Sequence, residues 1–276
     1  MPDTRMPFFS LASRLFRRHT QARPGDARQP PAVPDHATGR IDIHCHLIPG
    51  VDDGCQSLDQ TLACIPRLQA VGYTGSICTP HVWPSLFPDN TAANIRHWTD
   101  TLQQYIRDAG LDYQLWPGAE LRLFDGLPDW LQTHETPTLA GSRFVLVDFW
   151  EPKWHDWVDD CFDWLLEHDY QPILAHPERL AIHDLPDRLD ALRERGVLLQ
   201  GNFRCLTGED GFLADQWIRR FLFEDRYDFL ALDVHRPDTL EARLVGLNAA
   251  RAEFDADAID AKTIDAPRHL ILGLED

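Results

Sequence analysis

Two cysteine motifs are missing from this sequence of 276 residues. Its six cysteines form no C-x-x-C pair, so neither a zinc knuckle nor a thioredoxin-like redox site is indicated. None of the six is followed by Arg six positions later, which excludes the Cys-x5-Arg phosphate loop of the cysteine-dependent phosphatases. We expect most of these cysteines to be reduced and buried as small apolar side chains.

Positive charge is also scarce. The chain carries 26 Lys and Arg against 44 Asp and Glu, a net charge of −18. Binding to the phosphate backbone of a nucleic acid normally needs clustered Lys and Arg that release counterions. The composition therefore argues against nucleic acid as a partner. Its 43% hydrophobic and 25% charged residues are otherwise typical of a globular protein with one large domain.

Long apolar runs are absent as well. No run approaches the ~18 residues that a membrane-spanning helix requires. The N-terminus also lacks the apolar stretch and the small-residue cleavage site of a signal peptide. We therefore expect a cytoplasmic protein.

The first 40 residues differ from the rest of the chain. They hold seven Arg and three Asp, a local balance of +4, which leaves −22 for the remainder. Residues 22–39 are rich in Pro and polar residues, which predicts a disordered linker. We expect residues 7–19, PFFSLASRLFRRH, to belong to a disordered, flexible extension, and the alternative is a short basic amphipathic helix on the inner face of an anionic membrane. We therefore divide the chain into a tail, 1–40, and a domain, 41–276.

From residue 41 onward, short apolar runs alternate with longer amphipathic segments, the pattern of βα units with a mostly parallel sheet. The runs predicted to be strands end in IDIHCH, GSICTPH, YQLWPGAE, RFVLVDF, QPILAHPER, VLLQGN and FLALDVH. The predicted helices cover residues 57–71, 90–109, 154–167, 186–195 and 210–223, with a further helical stretch after 239.

Polar side chains stand at the ends of these strands. His44 and His46 in IDIHCHLIPGVDDG lie two apart and so point to the same side of a strand. Counted from His46, the polar residues at successive strand ends follow at intervals of 35, 39, 28, 28 and 57 residues. These intervals are close to the length of one or two βα units of ~30 residues. In a parallel barrel the carboxyl ends of all strands share one face, where active sites are built. The sequence therefore predicts that these residues meet.

The residue types at these ends indicate a metal site. Glu120 and Asp148 end apolar runs, where an unpaired carboxylate would be costly, so a cation must compensate. Asp53 is preferred over Asp52, which could instead shape the VDDG turn. Imidazoles and carboxylates without a thiolate suit Mn²⁺, Zn²⁺ or Fe, and the set exceeds the needs of one ion, so two or three are expected. The candidate ligands are His44, His46, Asp53, His81, Glu120, Asp148, His176, Asp233 and His235.

A cluster of two or three such ions would activate a water and stabilise both oxygens of an in-line displacement, which favours phosphoester hydrolysis. Arg179, three residues after His176, would neutralise phosphate charge, and we assign Asp53 and His235 with it to catalysis. Asn202 is a candidate for holding a water or a substrate oxygen. Two tryptophans that follow the fourth strand end could line a pocket for an aromatic group; these are Trp150 and Trp154.

The motifs DIHCHLIPGVDDG, TPH, GAE, LAHPER and DVH together resemble the PHP (polymerase and histidinol phosphatase) superfamily. Within it, the chain is similar to the bacterial manganese-dependent protein tyrosine phosphatases of capsule and exopolysaccharide systems. The resemblance implies a distorted (β/α)7 TIM-like barrel with a three-metal site at the carboxyl ends of the strands. It maps the ligands onto the nine residues named above. It also implies a phosphotyrosine substrate on a bacterial tyrosine autokinase that controls polysaccharide synthesis.

Two positions depart from the family pattern. Asp148 stands where the family usually has Glu, and Leu232 replaces the Ser of an S-D-x-H motif. Two alternatives to a tyrosine phosphatase stay open at this point. One is a phosphatase of a small phosphomonoester such as histidinol phosphate, and the other is a non-catalytic metal-binding scaffold.

Overall fold

The computed structural model describes residues 39–273 of the chain. The predicted tail, including its proposed amphipathic helix, therefore lies almost entirely outside the described residues. The strands are β1 Arg40–Cys45, β2 Tyr73–Cys78, β3 His81–Val82, β4 Gln114–Pro117, β5 Glu120–Arg122, β6 Phe144–Asp148, β7 Gln171–Ala175, β8 Leu198–Asn202 and β9 Phe229–Ala231.

The helices alternate with these strands. They are α1 Leu58–Ala70, α2 Ala92–Asp108, α3 Leu127–Leu131, α4 Asp156–Glu167, α5 Leu185–Glu194, α6 Phe212–Phe223, α7 Leu240–Glu253 and α8 Ala256–Asp260. Short 3₁₀ turns cover Leu139–Gly141, Pro177–Arg179 and Phe203–Thr207, and π-helical turns cover Ala261–Asp265 and Pro267–Ile271.

The strands form a barrel in which every pair is parallel. One sheet has the order β1-β2-β4 and the other β3-β5-β6-β7-β8-β9. Only two residues separate β2 from β3 and β4 from β5, so each of these pairs continues one strand across a break. The barrel closes between its first and last strands, where Cys45 bridges Val234 and His46 N–H donates to Val234 O at 2.7 Å. This architecture confirms the predicted distorted (β/α)7 barrel.

The helices form where capping side chains precede amphipathic segments. Ser57 accepts a hydrogen bond from Gln60 N–H at 3.3 Å and begins α1, as predicted. Thr91 accepts from Asn94 N–H in the same way, so α2 begins slightly later than the predicted residue 90. Helix α3 was not predicted, because five residues are too few to show a helical pattern in the sequence. It begins after Gly126, which adopts a positive φ of 89°.

Apolar side chains pack on both sides of the barrel wall. Thirteen buried residues form an inner cluster, to which six strands contribute side chains. Leu146, Ile173 and Ala231 are examples. The residues that alternate with them along the strands, such as Val147 and Leu174, point to the other side of the barrel wall. They belong to a larger cluster that includes side chains of the surrounding helices. This arrangement leaves the carboxyl ends of the strands as the place where polar side chains enter the barrel. No helix between residues 39 and 273 is both long and apolar enough to cross a bilayer.

Candidate metal centre

Side chains from all over the barrel converge at its carboxyl-terminal mouth. Potential ligands fall into four sets, and within each set the donor atoms lie within 4.8 Å of one another. Together the four sets contain all nine residues that were predicted from the sequence. The four sets are His46, Asp53, His81 and His235; His44, His46 and Asp233; His44, Glu120 and His176; and His81, Glu120 and Asp148.

His44 and His46, at the end of β1, are fully buried and direct their Nε2 atoms toward each other at 3.3 Å. His44 Nδ1 lies 2.9 Å from Gln200 Oε1, and His46 Nδ1 lies 2.7 Å from Asp52 Oδ2. Because an amide oxygen and a carboxylate only accept hydrogen bonds, both Nδ1 atoms carry a proton, which leaves Nε2 as the nitrogen of each ring that would bind a metal ion. Such hydrogen bonds orient histidines that bind metals.

Glu120, at the start of β5, lies at the centre of the cluster and is 1% exposed. Its Oε2 is 3.3 Å from His44 Nε2, 3.4 Å from His46 Nε2 and 2.9 Å from His81 Nδ1. Its Oε1 is 3.0 Å from His176 Nε2. Burial alone would raise the pKa of this carboxyl, but the imidazoles of His44, His81 and His176 hold it well below its usual value.

Asp233 and His235 supply the ligands that follow β9. Asp233 Oδ1 lies 3.5 Å from both His44 Nε2 and His46 Nε2, and 3.2 Å from His235 Nδ1. This oxygen is buried, yet it has no hydrogen-bond partner within residues 39–273. Leu232, which replaces the family's usual Ser, is fully buried in the outer apolar cluster. The Leu therefore packs away from the site and removes no ligand.

The backbone is strained at two of these residues. His176 and Asp233 have φ angles of 33° and 53°, in the left-handed region that residues other than Gly rarely adopt. Their conformations are held by several hydrogen bonds. His176 N–H donates to Gln200 O at 2.8 Å, and Asp233 O accepts from the buried Arg243 Nε at 2.6 Å. Asn202 Nδ2 donates to Asp233 Oδ2 at 2.8 Å.

Asp148 ends β6 and is 2% exposed. Its Oδ1 has no hydrogen-bond partner in the described part of the chain and lies 4.0 Å from His176 Nδ1. Burial, reinforced by the charge of Glu120, raises the pKa of Asp148 to about 7. The guanidinium of Arg122 opposes this shift from 3.8 Å away. The short Asp side chain thus still reaches the cluster.

The two adjacent aspartates after β1 have different environments. Asp52 is buried and accepts from Gly54 N–H at 2.9 Å and from His81 N–H at 3.1 Å, in addition to its contact with His46. Asp53 is 63% exposed at its side chain, and its Oδ1 lies 3.4 Å from His81 Nε2 and 3.5 Å from His235 Nε2. Asp52 therefore shapes the turn and orients a histidine, while Asp53 faces the cluster from the solvent side.

Arg179 lies at the rim, with 26% of its side chain exposed. Its Nη1 is 3.6 Å from Asp233 Oδ2, and its Nε is 3.7 Å from Asp210 Oδ1. A guanidinium at this edge adds positive charge beside a cluster of carboxylates. It is accessible to an anion that approaches the mouth of the barrel.

Two sequence-based expectations about neighbouring residues were wrong. Asn202 does not present its amide to a substrate, because Nδ2 donates to Asp233 and Oδ1 accepts from Arg204 N–H at 3.1 Å. Trp154 is a core residue, 8% exposed, with its indole stacked on Phe162. Gln200 was overlooked, although a Gln two residues before Asn202 in an apolar strand shares its face of the sheet.

The donor set fits a metal cluster. Five imidazoles and four carboxylates crowd together, and two buried carboxylate oxygens, Asp148 Oδ1 and Asp233 Oδ1, lack hydrogen bonds within residues 39–273. Buried polar atoms of this kind normally have partners, and a cation between them would supply one. The nearby thiol of Cys45 points elsewhere, to Ile77 O at 3.3 Å. Imidazole and carboxylate ligands suit Mn²⁺, Zn²⁺ or Fe.

A seven-stranded parallel barrel with this cluster at its carboxyl-terminal mouth is consistent with a metal-dependent phosphatase of the PHP type. A family model described as "Capsular polysaccharide synthesis, CpsB/CapC" matches residues 40–271. The chain belongs to the CpsB/CapC family.

The sequence identity to individual relatives is low. The chain is 26% identical over 200 residues to the tyrosine-protein phosphatase YwqE of Bacillus subtilis, covering 72% of this chain and 78% of that protein. It is 26% identical over 196 residues to the putative tyrosine-protein phosphatase CapC of Staphylococcus aureus, covering 71% and 76%.

Solved structures show the same fold. One chain, from work on YwqE of Bacillus subtilis and CpsB of Streptococcus pneumoniae, described there as metal-dependent tyrosine phosphatases, matches with a TM-score of 0.75 at 24% identity. That match covers 86% of this chain and 95% of the other. A phosphotriesterase homology protein from Escherichia coli matches with a TM-score of 0.51 at 12% identity, covering 84% and 98%.

Removal of the hydrogen bond between Gln200 and His44 should weaken metal binding. Gln200→Leu keeps the volume of the side chain but leaves His44 Nδ1–H without an acceptor, so the imidazole loses its orientation. We expect the affinity for Mn²⁺ to fall by roughly 10- to 100-fold, as measured by competition with a coloured chelator. Gln200→Glu, which keeps an acceptor, should retain most of the affinity. Equal affinities of Gln200→Leu and the original protein would contradict the assigned role.

Proposed function

We propose that this chain is a metal-dependent protein tyrosine phosphatase. The observation that carries the proposal is the convergence of nine imidazole and carboxylate side chains at one end of a barrel, with Arg179 at the rim. The Cys-x5-Arg loop of the cysteine-dependent phosphatases is absent, and the clustered ligands favour a metal-assisted attack by water as the route to phosphate release. The names of the relatives and the family's link to capsular polysaccharide support this choice.

The nine clustered side chains would hold two or three ions, for which we propose Mn²⁺. The residues would be His44, His46, Asp53, His81, Glu120, Asp148, His176, Asp233 and His235. Bound ions lower the pKa of water and neutralise the charge that develops on phosphate oxygens. Glu120 would contribute both carboxylate oxygens, because Oε2 faces His44, His46 and His81 while Oε1 faces His176.

The protein's own residues bind and orient the substrate. Arg179 would form charge-assisted hydrogen bonds to the phosphate, for which its planar guanidinium is well suited. Asp53 and His235 are partly exposed at the mouth, with Oδ1 and Nε2 3.5 Å apart. The Asp53 oxygen that is not engaged by an ion would accept the proton of the attacking water, and His235 would help to orient that carboxylate. A phenolate leaves readily because its conjugate acid has a pKa of ~10, so no strong acid is required on the leaving-group side.

The physiological substrate that we propose is phosphotyrosine on a bacterial tyrosine autokinase that controls capsular or exopolysaccharide synthesis. The exposure of Asp53 and the partial exposure of Arg179 at the mouth are compatible with a phosphate carried on another protein. A small phosphomonoester is the competing substrate class.

Phosphate release should depend on both the metal and Arg179. We expect the full chain to release phosphate from a phosphotyrosyl peptide with Mn²⁺ and to lose this activity in EDTA. Arg179→Ala should lower kcat/KM by roughly 30-fold, the equivalent of about 2 kcal/mol for a hydrogen bond to a charged group. Arg188→Ala is a matched control, since Arg188 on α5 has a similarly exposed side chain, which pairs with Asp184, the residue before that helix.

The same assay separates the alternatives. Faster turnover of histidinol phosphate than of the peptide would replace the proposed substrate with a small phosphomonoester. Absence of any Mn²⁺-dependent release would leave a metal-binding scaffold. Replacement of His44 and His46 by Ala should abolish a phosphatase but leave the function of such a scaffold intact.

We also propose that the tail, residues 1–40, contacts the inner face of the membrane through its basic segment, residues 7–19. Deletion of residues 1–38 should weaken sedimentation with vesicles that contain anionic lipid and leave phosphatase activity on the soluble peptide intact. A control with Arg14, Arg17 and Arg18 changed to Gln should weaken binding similarly, because it removes the attraction to anionic headgroups. Unchanged sedimentation of both variants would indicate a flexible extension.

A further inference from the structure

A cavity of about 240 Å³ opens directly beside the candidate metal ligand His176. Trp150, Glu151 and Pro152 line one side of it, and His176, Arg179 and Leu180 line the other. For comparison, a cavity of about 150 Å³ is sufficient to hold a benzene molecule. The space next to the candidate ligand His176 can therefore accept an aromatic ring.

Trp150 is unusual among the tryptophans of the loop after β6. Its side chain is 56% exposed, whereas Trp154 is buried and bonded through its indole N–H to Asp159 at 2.9 Å. Exposure of so large an apolar surface gives little stabilisation to the folded domain. The indole of Trp150 instead forms a wall of the cavity.

Contacts on both sides hold the segment that carries this indole. The guanidinium carbon of Arg179 lies 5.5 Å from the centre of the Trp150 ring, within cation–π distance. On the other side, Arg122 Nη2 donates to Glu151 Oε1 at 3.3 Å. Arg122 in turn lies 5.0 Å from the centre of the Trp83 ring. The wall is therefore positioned before a ligand arrives, which lowers the entropic cost of binding.

The same arginine connects the cavity to the cluster. Arg179 contacts the Trp150 indole, and its guanidinium also lies 3.6 Å from Asp233 Oδ2. A phosphate bound by Arg179 could therefore direct its ester oxygen, and the group attached to it, toward the cavity. A second aromatic side chain near the mouth, Phe87, is already stacked on His81 with ring centres 6.0 Å apart. Trp150 is thus the better placed of the two for contact with a substrate ring.

We propose that Trp150 is a specificity-determining residue whose indole packs against the phenyl ring of phosphotyrosine while Arg179 binds the phosphate. This inference rests on the proposed phosphatase function and adds the basis of selection for aromatic over aliphatic phosphomonoesters. Aromatic pairs contribute enough to change affinity by roughly 2- to 12-fold.

Two phosphonates that differ by a single phenyl ring test the inference. Benzylphosphonate and methylphosphonate resist hydrolysis, so their binding to the Mn²⁺-loaded full chain is measured by calorimetry without interference from leaving-group chemistry. We expect benzylphosphonate to bind roughly 5-fold more tightly. Trp150→Ala should abolish the difference and leave methylphosphonate binding intact, which would show that Arg179 is undisturbed. Trp150→Phe should restore most of the difference.

A matched control uses another indole paired with an arginine. Trp217 on α6 lies 5.4 Å from the guanidinium of Arg220, almost the same geometry, and Trp217 is not among the residues that line the cavity. Trp217→Ala should leave the ratio of the two affinities unchanged. An unchanged ratio in Trp150→Ala, with phosphate release intact, would overturn the role of Trp150 alone. Failure of the original protein to bind either phosphonate, together with absent phosphate release, would overturn the proposed function as well.

Discussion

The structure depends on the burial of the Glu120 carboxylate among imidazoles. Burial of a charged group is tolerated only when other charges and hydrogen bonds compensate for the lost water. Four histidines approach the two oxygens of Glu120, and Asp148 and Asp233 bring two further buried carboxylates to the same region. Bound cations would provide the compensation that this density of acidic groups requires. Stability and function of the barrel mouth are therefore coupled.

The barrel creates this environment through the alternation of its strands. Leu146 and Ala231 face the apolar interior, and two residues further along, Asp148 and Asp233 reach the polar layer above it. The strands end where the chain turns away, and His176 and Asp233 adopt positive φ angles there. Such strain persists only where surrounding contacts determine the conformation, as is common at functional sites. Buried partners such as Gln200 and Arg243 supply those contacts.

Much of the site was predictable because residues at the carboxyl ends of successive strands in a βα barrel lie close together in space, although they are far apart in the sequence. The nine candidate ligands were nominated from that spacing together with their residue types. The side chains behind them were harder to predict. Asp52 and Asp53 are neighbours of the same type, and only the turn geometry shows which is buried against His46. Gln200 orients His44 from a strand 156 residues away, a contact that a single sequence does not reveal.

The breaks in two strands and the roles of the tryptophans also required the structure. Short sequence runs do not show that β2 and β3, or β4 and β5, are parts of one continuing strand. The helical spacing after Asp148 correctly predicts α4, but it does not distinguish an indole that packs in the core from one that lines a cavity. Burial of Trp154 and exposure of Trp150 depend on tertiary contacts with Phe162 and Arg179.

The most direct test of the central claim is the location of metal ions in crystals of the full chain grown with Mn²⁺. Diffraction data would be collected on both sides of the manganese absorption edge. The account predicts two or three anomalous peaks around Glu120, each within bonding distance of the surrounding imidazoles and carboxylates. Crystals with a well-ordered barrel and no anomalous peak among these side chains would contradict it.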